Sequence, residues 1–220
     1  MKQSKMSVRY IVSIGLFAAV AYVAVFLGRV IPNVAGFLSY EPKDAVVVIA
    51  GFILGPVAAL IITVLVSFIE MITISGTGLY GFVMNSVSTC AFAIPAAFIY
   101  GKMRTQKGAV LGLAASIVSM TAVMVLWNYI ITPLYMGVPR ETVAGMLATV
   151  FGPFNLAKSG INAGITLLLY KPIVEALRKV RLIEGSGSGK KVKFSPGFTI
   201  LAIAVLVTFV LLLLALIGVI

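Results

Sequence analysis

The chain has 220 residues, of which 61% are hydrophobic and only 10% charged, with a formal net charge of +11. Soluble domains carry roughly 25% charged residues, so the composition excludes an ordinary soluble fold and points to the bilayer. The basicity invites a nucleic-acid partner, because cationic surfaces attract phosphate, but the placement of the cations argues for topology instead.

Five runs carry no charge: Tyr10 to Gly28, Ala45 to Ile69, Met71 to Gly101, Gly108 to Pro139 and Ser195 to Ile220. A membrane-spanning helix needs about 20 apolar residues, so an all-α integral membrane protein is expected. With the N-terminus cytoplasmic, thirteen lysines and arginines fall inside; Arg29, Lys43 and Arg140 fall outside, and Lys158 stands apart within a span. That is the positive-inside bias, and no nucleic-acid partner is expected. The N-terminal apolar run is too long for a signal peptide and continues past its one Ala-x-Ala, so it is expected to stay as the first helix.

That helix is expected over about Val8 to Val30. It carries small residues at helical spacing, Gly15 with Ala19 and Ala24 with Gly28, which suit close packing inside the protein or against a partner subunit. The following segment, I-P-N-V-A-G-F-L-S-Y-E-P-K-D, has the prolines, glycine and charges of an ordered loop. Gly55-Pro56 divides the next apolar run into a short second helix and a third that begins at Pro56, where proline suits a first turn. Asp44 is expected to N-cap the second helix. An outer turn over Ile74 to Gly81 leads to a fourth helix, about Leu79 to Tyr100, in which Cys90 is expected to be a small core residue.

The fifth helix is expected over Gly108 to Ile131. A second outer segment, Thr132 to Gly152, begins turn-like and holds a short helix over Glu141 to Val150. The sixth helix is expected from near Pro153 to near Val180. The chain then divides into a six-helix domain over 1–183, a basic Gly/Ser linker over 184–196, and a seventh apolar helix over 197–220 that serves as an anchor. The linker stretch E-G-S-G-S-G-K-K lacks both the first glycine and the final Ser/Thr of a phosphate-binding loop, so ATP hydrolysis by that route is not expected.

Catalysis has little to work with. There is no histidine, the six acids sit near the ends of the runs, and no metal cluster, catalytic residue or resident cofactor is expected. What remains is a polar group at the outer ends of the later helices. Asn155, Lys158 and Asn162 share one helix face at i, i+3, i+7 spacing, with Lys158 about 7 Å below the helix start. Lysine there either snorkels to the interface or faces an occupied cavity; the flanking asparagines favour the cavity, because lipid would leave their amides unpaired. Asn128 sits between Trp127 and Tyr129, which fit either an aromatic belt or a ligand wall. Asn85 can bond a neighbouring helix or a ligand. Phe37, Leu38 and Tyr40 project from the first loop, where they can cap a flat ligand or anchor the loop at the interface.

Three stretches, F-L-S-Y-E-P-K-D, W-N-Y-I-I-T-P-L-Y and P-F-N-L-A-K-S-G, resemble the riboflavin-specific S components of energy-coupling factor (ECF) vitamin transporters. The last is the most specific and is similar to that family's P-F-N-L-x-K-G signature, with Ser159 and Gly160 following the lysine. The resemblance covers about residues 8 to 180. It implies a six-helix S-component bundle in a prokaryotic plasma membrane that binds riboflavin from outside and performs no chemistry. It also implies partners: a transmembrane coupling subunit and two ABC-type ATPases. Asn128, Asn155 and Lys158 match the flavin-bonding positions; an isoalloxazine edge offers carbonyls, ring nitrogens and an imide N–H that an amide can read in both directions, and its flat face suits Phe37, Tyr40 or Trp127. Lys158 is expected to donate to the ligand without needing a carboxylate partner. The family's first-helix Ala-xxx-Ala docking motif is replaced here by Gly15-xxx-Ala19 and Ala24-xxx-Gly28. The alternatives are another cargo on the same fold, such as flavin mononucleotide with its phosphate on Arg140 or Lys43, and less readily a facilitator or a scaffold whose polar residues satisfy one another.

Overall fold

In a computed structural model, residues 8–179 and 196–220 are described, and every regular element among them is helical. The elements are α1 (Val8–Gly28), α2 (Lys43–Leu54), α3 (Pro56–Thr73), α4 (Gly78–Met103), α5 (Gln106–Met136), α6 (Arg140–Met146), α7 (Gly152–Lys179) and α8 (Pro196–Ile217). A π-helical turn over Leu147–Phe151 joins α6 to α7. The expected Gly/Ser linker falls, except for Pro196, outside the described residues.

Among the described residues, five helices, α1, α3, α4, α5 and α8, are long and apolar enough to cross a membrane. At about 1.5 Å per residue, the 12-residue α2 is too short to cross. It is instead the most enclosed element, with Val47, Val48, Ile49 and Ala50 all buried among α1, α3, α4 and α7. The Gly55-Pro56 break is where the sequence places it. Gly55 adopts φ 97°, a left-handed value that favours glycine, and Pro56 opens α3.

Small residues let these helices approach closely. A methyl group on Gly51 of α2 would come within 2.9 Å of Ala97 and 3.2 Å of Ala59. The small residues of α1 divide between its two sides. Ala24 and Gly28 turn inward, and a methyl on Gly28 would overlap the Tyr40 carbonyl; Gly15 and Ala19 are exposed, with open space beyond Gly15. Cys90 is half-buried.

Two boundaries in the later helices differ from expectation. The fifth helix continues past Ile131 to Met136 and contains Pro133. Thr132 lies within the helix, its hydroxyl donating to Asn128 Oδ1 one turn earlier at 3.0 Å, and the turn falls at Gly137, where φ is 65°. The helix expected over Glu141 to Val150 is no free-standing element either. It ends at Met146 and runs through the π turn directly into α7.

Against this bundle α8 packs on one side only. Phe198, Ala202 and Leu213 are buried, while Leu201, Val207, Leu211 and others face outward.

Candidate functional site

The C-terminal ends of α1, α3 and α5 and the N-terminal ends of α4 and α7 surround a cavity of about 270 Å³, covered by the loop before α2. The loop owes its shape to a tight reversal. Ala35 and Gly36 take left-handed φ values of 52° and 81°, and Val34 and Leu38 exchange two backbone hydrogen bonds of 3.0 Å. This turns Phe37 and Leu38 towards the cavity, with the Phe37 ring edge-on to Phe151 at 6.0 Å.

Seven of the eight sequence-predicted ligand residues meet on this wall: Phe37, Leu38, Tyr40, Asn85, Asn128, Asn155 and Lys158. Trp127 does not. It packs against the helix core, with its indole N–H buried and unpartnered. Tyr40 is more an anchor than a displayed platform. Its hydroxyl donates to Asn162 Oδ1 at 3.2 Å, and Asn162 Nδ2 donates to the Glu41 carbonyl at 3.1 Å, tying the loop to α7. Burial, then the Asp44 charge, pushes the Tyr40 hydroxyl above its ordinary pKa, so it remains a neutral donor.

The asparagines are oriented by their own helices. Asn155 Nδ2 donates to the Phe151 carbonyl of the π turn at 2.8 Å, which leaves its Oδ1 as an acceptor for a ligand. Asn128 Nδ2 donates to the Met124 carbonyl at 2.7 Å while its Oδ1 accepts from Thr132. Asn85 Nδ2 donates to Glu70 Oε2 at 2.8 Å.

Lys158 differs most from expectation. Rather than standing without a carboxylate, its Nζ lies 2.6 Å from Glu41 Oε2 and 3.5 Å from Asp44 Oδ2. Asp44, in turn, is no N-cap. Pro42 occupies that position without a side-chain bond, and Asp44 is fully buried, accepting from Thr89 Oγ1 at 2.6 Å. Lys43, considered above as a phosphate contact, is buried and bound to Glu70 at 2.6 Å and Glu41 at 3.4 Å. Arg140 sits over the Tyr129 ring, off the cavity wall. The cation at the mouth is Arg29, whose Nη2 donates to the Ile74 carbonyl at 2.7 Å.

Three carboxylates and two ammonium groups therefore form one buried cluster that knits the loop, α2, α3 and α7 together. Burial would raise the Glu41 carboxyl, but the ammoniums of Lys158 and then Lys43 outweigh it and hold it down at about 2. Glu41 and Glu70 are the site residues that sequence reasoning missed. The available signal was Glu70, a lone acid closing an otherwise apolar helix, because ionisable groups at such depth are seldom unpaired. The remaining wall combines apolar surface from Met84, Met124 and Phe154 with the buried Ser88 hydroxyl, which has no protein partner. Such a wall suits a flat, apolar molecule with polar edges.

A family profile described as "ECF transporter, substrate-specific component" matches residues 9–170. The chain is 25% identical over 195 residues to the riboflavin transporter FmnP of Bacillus subtilis (strain 168), covering 80% of this chain and 100% of that protein. It is 26% identical over 176 residues to the riboflavin transporter RibU of Staphylococcus aureus (strain TCH60), covering 77% and 93%. A solved S component of a bacterial ECF transporter shares the fold with a TM-score of 0.66 at 25% identity, over 77% of this chain and 97% of its own.

Proposed function

The chain belongs to the family of ECF transporter substrate-specific components, and from that premise we propose that it captures riboflavin at the outer membrane face and delivers it inward. It is a transport component rather than an enzyme. The observation that carries the riboflavin reading is the placement of Asn155 Oδ1 and Lys158 on one face of α7, inside a cavity closed by Phe37 and Leu38. An acceptor beside a cation matches an imide edge, with its N–H between carbonyls, and the aromatic and aliphatic roof matches a flat ring. Both relatives are named riboflavin transporters.

Delivery requires energy from partners: a transmembrane coupling subunit and a pair of ABC-type ATPases. The face of α1 that carries Gly15 and Ala19 is open to receive such a subunit, whereas Ala24 and Gly28 are used within the bundle. The N-terminus lies in the cytoplasm of a prokaryotic cell. Residues 1–183 form the binding domain, 184–196 a linker and 197–220 an added membrane helix.

Flavin mononucleotide is the second reading, because Arg29 stands at the cavity mouth where a phosphate on the ligand tail would emerge. Flavin absorbance of the purified protein, followed by competition with riboflavin, flavin mononucleotide and unrelated vitamins, separates these cargoes. Displacement by flavins alone supports the reading; displacement only by a non-flavin vitamin overturns it.

A further inference from the structure

Helix α8 lies beyond the residues that match the family profile, yet it is not loosely attached. It runs antiparallel to α7, with Leu206 beside Gly164 and Phe209 beside Gly160. A methyl on Gly160 would overlap the Phe209 ring, and one on Gly164 would come within 2.8 Å of Leu206 Cβ and 3.0 Å of its backbone. These two glycines, one turn apart, form a notch that admits the close helix approach typical of Gly-xxx-Gly faces in membranes. At about 100° per residue, Gly160 points away from the cavity side occupied by Lys158. The notch is therefore on the back of the binding helix.

Farther outward the same helix reaches the cavity loop. Leu213 shares one apolar cluster with Phe154, Ala157 and Ile161 of α7 and with Val34 and Tyr40 of the loop; Leu38 borders it. Tyr40 and Leu38 also line the cavity. One helix thus grips the back of α7 through Phe209 and supports the outer side of the cavity cover through Leu213.

We propose that the Gly160/Gly164 face of α7 is a helix-docking surface whose occupant is α8, and that α8 straps the 31–41 loop closed over the ligand. Loop opening must break up the apolar cluster that Val34 and Tyr40 share with Leu213, so α8 lowers the opening rate and slows ligand escape. The escape part rests on the riboflavin reading; the loop part does not.

The experiment uses the full chain in lipid nanodiscs with Phe209→Ala, Leu213→Ala and, as a lipid-facing control, Leu211→Ala, since Leu211 is 49% exposed. Hydrogen exchange of the Val34 and Leu38 amides is measured without ligand, because these two close the loop's hydrogen-bonded turn. Riboflavin release is measured by stopped-flow fluorescence. In Phe209→Ala and Leu213→Ala, both exchange and release should quicken about tenfold, equivalent to about 1.4 kcal/mol, with Leu211→Ala unchanged. Unaltered exchange in both variants, or an equal effect of Leu211→Ala, overturns the strap. Faster exchange in a protein that binds no riboflavin keeps the strap and overturns the cargo. Leu213→Ala, the smaller truncation, stands alone if Phe209→Ala does not fold.

Discussion

Lys158 and Glu41 are 117 residues apart in the chain, yet Nζ and Oε2 meet at 2.6 Å. The pair joins the cavity-facing side of α7 to the root of the loop that covers the cavity. Glu41 also faces Lys43, and Lys43 is held by Glu70, so direct ion pairs link α7 and the loop to α2 and α3.

The count of charges makes the two halves of this pair unequal. The cluster holds three carboxylates against two ammoniums. Lys158→Met leaves two excess negative charges in a buried site and should destabilise by about 3–5 kcal/mol, the usual cost of stranding buried charge. Glu41→Gln leaves the cluster neutral, with Asp44 still near Lys158, and should cost clearly less. Thermal unfolding of the two variants in one detergent checks the order.

The same carboxylate sets the acid behaviour. Glu41 is held at about 2, below its ordinary 4.5. A depressed acid contributes stability that is complete above its unfolded value and is lost as pH falls towards its folded one. Melting temperature should therefore hold steady above about pH 5 and decline from there towards pH 2. The decline should be shallower in Glu41→Gln, and parallel curves would contradict the assignment.

Asn155→Leu removes the acceptor that faces the cavity and the donor that binds the π turn. Its loss should weaken flavin affinity by about 10- to 100-fold, since an unmade buried hydrogen bond costs about 1–3 kcal/mol. Calorimetric titration gives the ratio.

The aromatics divide by position. Phe37→Ala should weaken binding about tenfold, given that burying an aromatic on a ligand is worth about 1–3 kcal/mol. Trp127→Phe should leave affinity unchanged, because Trp127 is off the cavity wall, and the loss of an indole N–H that is buried without a partner offsets part of the packing it gives up. Equal losses in both would place the ligand elsewhere.

What was legible in the sequence was local chemistry. Gly55-Pro56 specified the break between α2 and α3 because a left-handed glycine and a first-turn proline act on their own neighbours. The Asn155–Lys158–Asn162 face was legible because helix periodicity alone aligns it. Glu41 was not, since nothing local announces a partner 117 residues away. Asp44 misled because an acid at a helix start has a sufficient local role, whereas here Thr89 and Lys158 claim it from other helices. Pro133 misled in the same way: its turn-forming tendency is local, whereas the helix runs on to the left-handed cap at Gly137.

The most direct test is a riboflavin titration of detergent-purified protein, following quenching of flavin fluorescence in the wild type, Asn155→Leu and Lys158→Met. One-to-one tight quenching in the wild type, lost or greatly weakened in both variants, is the predicted result. Absence of quenching from a folded, ligand-free wild type, or undiminished quenching in both variants, would contradict the account.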